Sequence, residues 1–424
     1  MKTKTHANKL WLAAAAIVFT MTLLLKPVDV KAALAAPANL RQTDAYTSTS
    51  KVSFEVEWNE LSEARKYGIT YSEDKVHWAD EYITYSTSKT YSSSDNGIAK
   101  GKTYYVKVCA YDGSNVQGAW SSIIEVNTAP GASASISQTN AAKNAITMNY
   151  AASEGATGYS VYYGISSSFD PNSLTFAGDV SATSITISNL PTNAGYYVYV
   201  IPFRKSANAS YKAYSNYTTK TTAFTIPTKP TSVKPYARSY NKKLTYLKWT
   251  ITDAYADGYE IQICNEKGKK LASTKVTYTS YKYNGYGEIK TSKAFNTPFQ
   301  YRVRAYKVVN NKTYYSDWTS YQKYIPGAVC KSPIKHTRTS GKLKWYKVKG
   351  ATSYTVYWAS ANSPTGKLKW KAVAKNVKGT SATVKYSSSK LYNFYYVKAN
   401  KVKFGKKKYN SASPKSALDV YYTY

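Results

Sequence analysis

Histidine is nearly missing from this chain: the 424 residues hold three, His6, His77 and His336. The last two lie more than two hundred positions apart, so no Ser–His–Asp or Cys–His set forms within one neighbourhood. Most acid–base and metal chemistry is thereby excluded, and neither a metal nor a cofactor is expected. Cysteine is equally scarce. Cys109, Cys264 and Cys330 form an odd, widely spaced set, which is neither a disulfide framework nor a zinc motif. Each is expected to be a single buried thiol. Acid is short as well: 23 Asp and Glu stand against 58 Lys and Arg, for a net charge of +35. The acidic pairs Glu73-Asp74 and Asp80-Glu81 are expected to be solvated loop charges, because a small sandwich filled by its own core has no cleft for paired carboxylates. Gly285-Tyr286-Gly287 lacks the remaining glycines of a phosphate loop. No catalytic residue is assigned, and a non-enzymatic chain is expected.

Long apolar runs are confined to the start. Lys2, Lys4 and Lys9 precede an apolar stretch from Leu10 to Leu25 that stops at Lys26-Pro27. Small residues follow, and both Val30-Lys31-Ala32 and Ala33-Leu34-Ala35 fit a small-x-small cleavage rule. This order of charged, apolar and small regions is that of a secretory signal peptide, and the run of 16 falls short of the roughly 20 residues a spanning helix needs. Residues 1–35 are expected to be removed. The mature chain is expected to lack a transmembrane segment and to be secreted, either released or held at a cell surface by non-covalent contacts alone.

Aromatics, by contrast, are plentiful, with 45 Tyr and 9 Trp, and they repeat. Four times an aromatic leads through a short loop into an alternating strand. The copies run from Trp58 to Tyr67-Gly68-Ile69-Thr70-Tyr71, from Tyr150 to Tyr159-Ser160-Val161-Tyr162-Tyr163, from Trp249 to Tyr259-Glu260-Ile261-Gln262-Ile263, and from Trp345 to Tyr354-Thr355-Val356-Tyr357-Trp358. Forty to fifty residues later each copy carries a second alternating strand: Tyr104 to Ala110, Tyr196 to Val200, Phe299 to Ala305 and Tyr395 to Ala399. An aromatic–Ser step follows each one, at Trp120-Ser121, Tyr214-Ser215, Tyr315-Ser316 and, with one residue inserted, Tyr409-Asn410-Ser411. Period-two alternation in short, evenly spaced strands points to β-sandwiches.

The aromatic on the second strand, Tyr-x-Ile/Val-x-Tyr on the third and Tyr-x-Val-x-Ala on the sixth resemble fibronectin type III modules, in a secreted bacterial repeat protein. Leu190-Pro191 before Tyr196, and Ile98 before Tyr104, resemble the tyrosine corner of that family. Phe299 and Asn393 fall near that position in the other two copies. The resemblance implies an all-β chain of four tandem immunoglobulin-like β-sandwiches at residues 36–130, 131–228, 229–326 and 327–424. It implies a core built on Trp58, Tyr67, Tyr104, Tyr150, Tyr159, Tyr196, Trp249, Tyr259, Trp345 and Tyr354.

Charge is spread unevenly over these copies. The first is near-neutral and slightly acidic and the second near-neutral, whereas residues 229–326 carry 18 basic and 6 acidic groups, and residues 327–424 carry 21 basic groups against Asp419 alone. Such a field repels itself and suggests a polyanionic neighbour. The candidate binding residues are Lys342 and Lys344, then Lys367, Lys369 and Lys371, which alternate with Leu368 and Trp370, and finally Lys406, Lys407 and Lys408, expected in a loop. Trp370 is expected to cover the sheet rather than stack on a sugar. The expected partner is an anionic cell-wall polymer or acidic polysaccharide; net charge alone does not separate these from nucleic acid. The rival readings are a structural spacer whose charge binds nothing in particular, and an adhesin that binds host or bacterial surface proteins through tyrosines.

Overall fold

The computed structural model describes residues 32–231, 233–239, 244–250, 255–277, 286–292, 295–331, 335–413 and 421–423. The expected signal segment, apart from Ala32–Ala35, lies outside them. The described chain is built of antiparallel sheets, with one short helix, Ser93–Asn96. Among the described residues no helix is long and apolar enough to cross a membrane.

The first repeat contains β1 (Arg41–Thr47), β2 (Val52–Glu57), β3 (Lys66–Ser72), β4 (Tyr82–Thr84), β5 (Ser88–Ser92), β6 (Thr103–Tyr111) and β7 (Ile124–Asn127). They form two sheets, β1-β2-β5 and β4-β3-β6-β7. Alternation sends Phe54 and Val56 from one sheet, and Ile69, Val106 and Val108 from the other, into a shared core with Trp58, Tyr67 and Tyr104. Burial of these side chains is what holds the two layers face to face.

The second repeat contains β8 (Ile136–Ala141), β9 (Ile146–Tyr150), β10 (Gly158–Gly164), β11 (Thr175–Val180), β12 (Ser184–Ile187), β13 (Gly195–Arg204), β14 (Ala213–Tyr214) and β15 (Thr219–Phe224). Its sheets are β12-β9-β8 and β11-β10-β13-β14, with β15 also on β13. The third contains β16 (Val233–Ser239), β17 (Leu244–Thr250), β18 (Gly258–Cys264), β19 (Lys270–Thr277), β20 (Tyr286–Thr291), β21 (Phe299–Val309), β22 (Lys312–Tyr315) and β23 (Gln322–Tyr324). Its sheets are β16-β17-β20 and β19-β18-β21-β22, with β23 on β21. Trp249 lies on β17, and its side chain is outside the described set.

The fourth repeat contains β24 (Lys335–His336), β25 (Ser340–Lys344), β26 (Ser353–Ala361), β27 (Lys371–Val377), β28 (Ser381–Lys385), β29 (Tyr392–Asn400), β30 (Val402–Phe404), β31 (Lys407–Tyr409) and β32 (Tyr421–Thr423). The sheets are β24-β25-β28 and β27-β26-β29-β32, with β30-β31 a separate ribbon. Leu343 and Val384 from the small sheet meet Val356, Tyr395 and Val397 from the large one around Trp345 and Tyr354.

The repeated spacing acts through one recurring contact. The strand tyrosine sets its ring edge against the upstream aromatic: Trp58–Tyr67 at 5.5 Å, Tyr150–Tyr159 at 4.8 Å and Trp345–Tyr354 at 5.4 Å. Such tilted and edge-on aromatic pairs are favourable beyond their buried area. In the first and fourth copies the tyrosine hydroxyl also accepts the amide of the intervening loop, Leu61 N and Val348 N, each at 2.9 Å. Tyr259 is buried in its own repeat.

The aromatic–Ser step has a structural task. Ser121, Ser316 and Ser411 donate their amides to Val108, Ala305 and Ala399, while their hydroxyls accept the amides of those same residues. In the second repeat Pro202 stands opposite Ser215 and has no N–H, so only the bond from Ser215 N to Pro202 O remains.

The corners differ from copy to copy. Tyr104 OH accepts Ala99 N at 2.9 Å. Tyr196 is a correction to the expected core: it is half-buried against Tyr163, and Tyr199 is the fully buried ring, with its hydroxyl on Ser166 O. Asn393, fully buried, replaces a corner ring with hydrogen bonds, accepting from Trp358 Nε1 and Ser387 N and donating to Ser387 O.

Contacts group the chain into two compact units: residues through Ala132 with Ser153–Gly158 and Ile201–Tyr217, and Ser133–Ala152 with Tyr159–Val200 and residues from Thr218 onward. In the first unit the Ile201–Tyr217 segment is bonded to the first sandwich. Arg204 reaches Thr103 Oγ1 and Gly155 O, Asn208 reaches Glu125, and Asn216 Oδ1 accepts Thr47 N. A Cβ on Gly155 would meet Gly101 O at 2.3 Å, and both glycines have positive φ, so this approach requires glycine. In the second unit, Asn310 and Tyr314 donate to the carbonyls of Gln138 and Thr139, and Asn296 donates to that of Tyr346.

Candidate functional site

The eight candidate lysines occupy three separate elements. Lys342 and Lys344 stand on β25, where Leu343 turns fully inward and both lysines turn out. Register brings them company that spacing does not reveal. Lys342 pairs with Lys335 on β24 and with Thr383 on β28, Lys344 pairs with Ser381, and Lys385 pairs with Ser340.

Lys367 and Lys369 lie in the segment before β27, and only Lys371 is in the strand. The alternation still holds in burial, with all three lysines exposed and Leu368 and Trp370 half-covered. Lys406 to Lys408 differ from the expected loop. Lys406 shares a two-residue turn with Gly405, which has φ +65°, and Lys407 and Lys408 belong to the β30–β31 hairpin. Lys403 pairs directly with Lys408 there. Nearby, Lys349, Lys403 and Glu266 line an open cleft of about 530 Å³.

Three cations of the third repeat are engaged internally. Arg304 bonds Glu260 at 2.6 Å and lies over Tyr315 and Trp318. Arg302 bonds Gln262 and lies between Trp318 and Tyr321. Lys307 bonds Asp257 at 2.8 Å beneath the Phe224 ring, and Lys143 of the second repeat reaches Asp317 at 2.5 Å. Arg304, Lys307 and Lys143 are partly neutralised, and Arg302, Arg304 and Lys307 are held against aromatic faces. Sequence reasoning missed them, though the signal was present: Arg302 and Arg304 alternate on β21, one turn of chain ahead of Tyr315-Ser316-Asp317-Trp318. Lys335, Lys342, Lys344 and Lys385 are exposed and have no ion-pair partner among the described residues.

The acidic pairs of the first repeat are not uniform loop charges. Asp74 pairs with His77 at 2.7 Å, and that bond, with backbone amides of His77 and Val76, holds its carboxyl well below the usual range. Glu81, exposed ahead of β4, also reaches across the sheet to accept from Tyr111 OH at 2.8 Å, over Gly68, where a Cβ would collide with its carboxylate. Cys109 lies beside it. Burial first of all pushes that thiol up to about 11, so it stays protonated and poorly nucleophilic near neutrality. Cys109, Cys264 and Cys330 are all buried and unbridged. Among the described residues no three His, Cys, Asp or Glu side chains converge as a metal site.

The strand order, three strands as β1-β2-β5 against four as β4-β3-β6-β7, together with the aromatic pair and the tyrosine corner, defines a fibronectin type III-like β-sandwich repeat protein. No family model matches the chain, and no curated protein matches it. Among solved structures it is similar to a two-domain fibronectin type III segment of chicken tenascin, at 19% identity over 45% of this chain and 99% of that one, with a TM-score of 0.24. It is also similar to the FN1–FN3 domains of chicken CNTN1, at 16% identity over 69% of this chain and 98% of that one, with a TM-score of 0.26. The class itself rests on the strand order.

Proposed function

We propose that this is an exported, non-enzymatic bacterial protein of binding modules, whose C-terminal repeats associate with an anionic cell-envelope polymer or acidic polysaccharide. One observation carries the reading: residues 327–424 hold 21 basic groups and a single acid, and the candidate lysines among them are exposed. Uncompensated like charge on a folded module is a standing cost that a polyanion relieves. The ion pairs of Arg304 and Lys307, and the six acids of the third repeat against one in the fourth, put the weight of the proposal on the fourth. The first two repeats then serve as near-neutral spacers.

The test is retention of the full-length protein on purified Gram-positive cell wall before and after extraction of its anionic polymers. Retention that disappears with the extraction supports the reading, and unchanged retention removes it. A protein-binding adhesin is the second reading, favoured by Tyr82, Ile83 and Tyr85 of the first repeat, exposed at 47%, 40% and 75%. Exposed aromatic and aliphatic side chains suit protein contacts, and such binding would survive the extraction.

A further inference from the structure

We infer that the outward face of the β24-β25-β28 sheet is the docking surface, and that its ligand is a linear phosphate-bearing polymer; this rests on the polyanion reading above. Two of its lysines, Lys335 and Lys385, are recruited by strand pairing and are invisible to sequence spacing. Lys335 stands directly opposite Lys342, where paired side chains are roughly 5 Å apart at Cβ. Lys344 follows on the same face, roughly 6.6–6.8 Å along β25. Lys385 pairs with Ser340, two residues before Lys342, and so lies diagonal to it at roughly 7–8 Å. Like charges placed this close on one sheet face repel one another. Nothing described on the face offsets them.

The rest of the face narrows the ligand. Each lysine stands opposite either another lysine or a hydroxyl: Lys342 has Thr383, Lys344 has Ser381 and Lys385 has Ser340. A phosphodiester offers two free oxygens and one charge, so it accepts an ammonium and a neighbouring hydroxyl together. The paired positions carry ammonium groups, compact point charges that suit phosphate oxygens, while Arg338 is exposed in the turn between β24 and β25. The lysines also spread over a flat face instead of converging in a cavity, which fits a chain of charges better than one ion. Aromatic platforms of the kind that bind single-stranded nucleic acid are absent from the paired positions. At the edge His336 and Tyr386 stack on each other, with centroids 3.8 Å apart.

The experiment uses the full-length protein and three probes: long-chain sodium polyphosphate, polygalacturonate, and phosphatidylglycerol vesicles. One variant carries Lys335→Gln, Lys342→Gln, Lys344→Gln and Lys385→Gln; a control carries Lys406→Gln, Lys407→Gln and Lys408→Gln. Binding to polyphosphate should exceed binding to the other two probes. The face variant should weaken it at least tenfold at low salt and lower the log–log salt slope by about 3, from four contacts at roughly 0.7–0.9 each. The hairpin control should keep the parental slope. Lys342→Glu alone, at the centre of the face, should reproduce the loss and checks against misfolding of the fourfold variant. Equal behaviour of face and hairpin variants, or preference for polygalacturonate or vesicles, overturns this inference and leaves the polyanion reading standing. Failure of the unaltered protein to bind any of the three overturns both.

Discussion

Replacing Trp345 tests whether the repeated aromatic pair anchors its module. Trp345 is 1% exposed, edge-on to Tyr354 and surrounded by the fourth repeat's core. An aromatic of this size buries roughly 150–250 Å², which at about 25 cal/mol/Å² is about 4–6 kcal/mol. Partial collapse of the cavity brings the expected cost of Trp345→Ala to about 3–5 kcal/mol. Trp345→Phe should behave differently. The indole Nε1 of Trp345, like that of Trp58, is buried without a hydrogen-bond partner. Phe removes that unpaired donor, whose burial costs about 1–3 kcal/mol, while keeping most of the apolar area. The Phe variant should therefore lose at most about 1–2 kcal/mol. Native-state hydrogen exchange of peptides spanning β25 to β29 reads the opening free energy of this module directly. A loss below about 1 kcal/mol for Trp345→Ala, or equal losses for the two variants, would refute the reasoning.

Ser411→Ala should cost about 1–3 kcal/mol, because it strands the buried Ala399 amide that Ser411 Oγ accepts. Ser215→Ala should cost under about 1 kcal/mol, since Pro202 offers no amide, and thermal unfolding of the two variants gives the comparison. Cleavage of the proposed signal segment should leave Ala33, not Ala36, as the first residue. Leu34 is buried and its carbonyl accepts Ala119 N at 3.0 Å, so cleavage after Ala35 would strip a core residue; intact mass decides. Stability should fall as pH rises through about 10 to 12. Burial pushes the Tyr150 and Tyr301 phenols up to about 12, so the unfolded chain releases these protons first, near pH 10, and their stabilisation is complete below that point. A denaturant midpoint that held steady or rose between pH 9 and 11.5 would contradict this.

The aromatic scaffold was legible in the sequence because its contacts are local. Nine residues from Trp58 to Tyr67, or from Trp345 to Tyr354, carry both partners and the loop between them. The Ser121, Ser316 and Ser411 clamps showed as a spacing without a role, since their partner is a backbone amide that no residue type announces. Tyr196 was misplaced because alternation gives the face of a strand, not how much lies over its end. The four-lysine face was illegible for a stronger reason. Lys335, Lys342 and Lys385 meet only through strand register, which depends on turn geometry and on the whole pattern of inward side chains. The engagement of Arg302 and Arg304 was hidden likewise, because charge counting treats a paired cation and a free one alike.

The salt dependence of binding tests the polyanion proposal most directly. The affinity of the full-length protein for a purified anionic wall polymer should be measured across a series of salt concentrations. Neutralising fixed charges releases counterions, so the logarithm of affinity should fall linearly with the logarithm of salt, at roughly 0.7–0.9 per contact. At least four contacts are expected from the fourth repeat, giving a slope of about −3 or steeper. An affinity that stays flat with salt would contradict the electrostatic account.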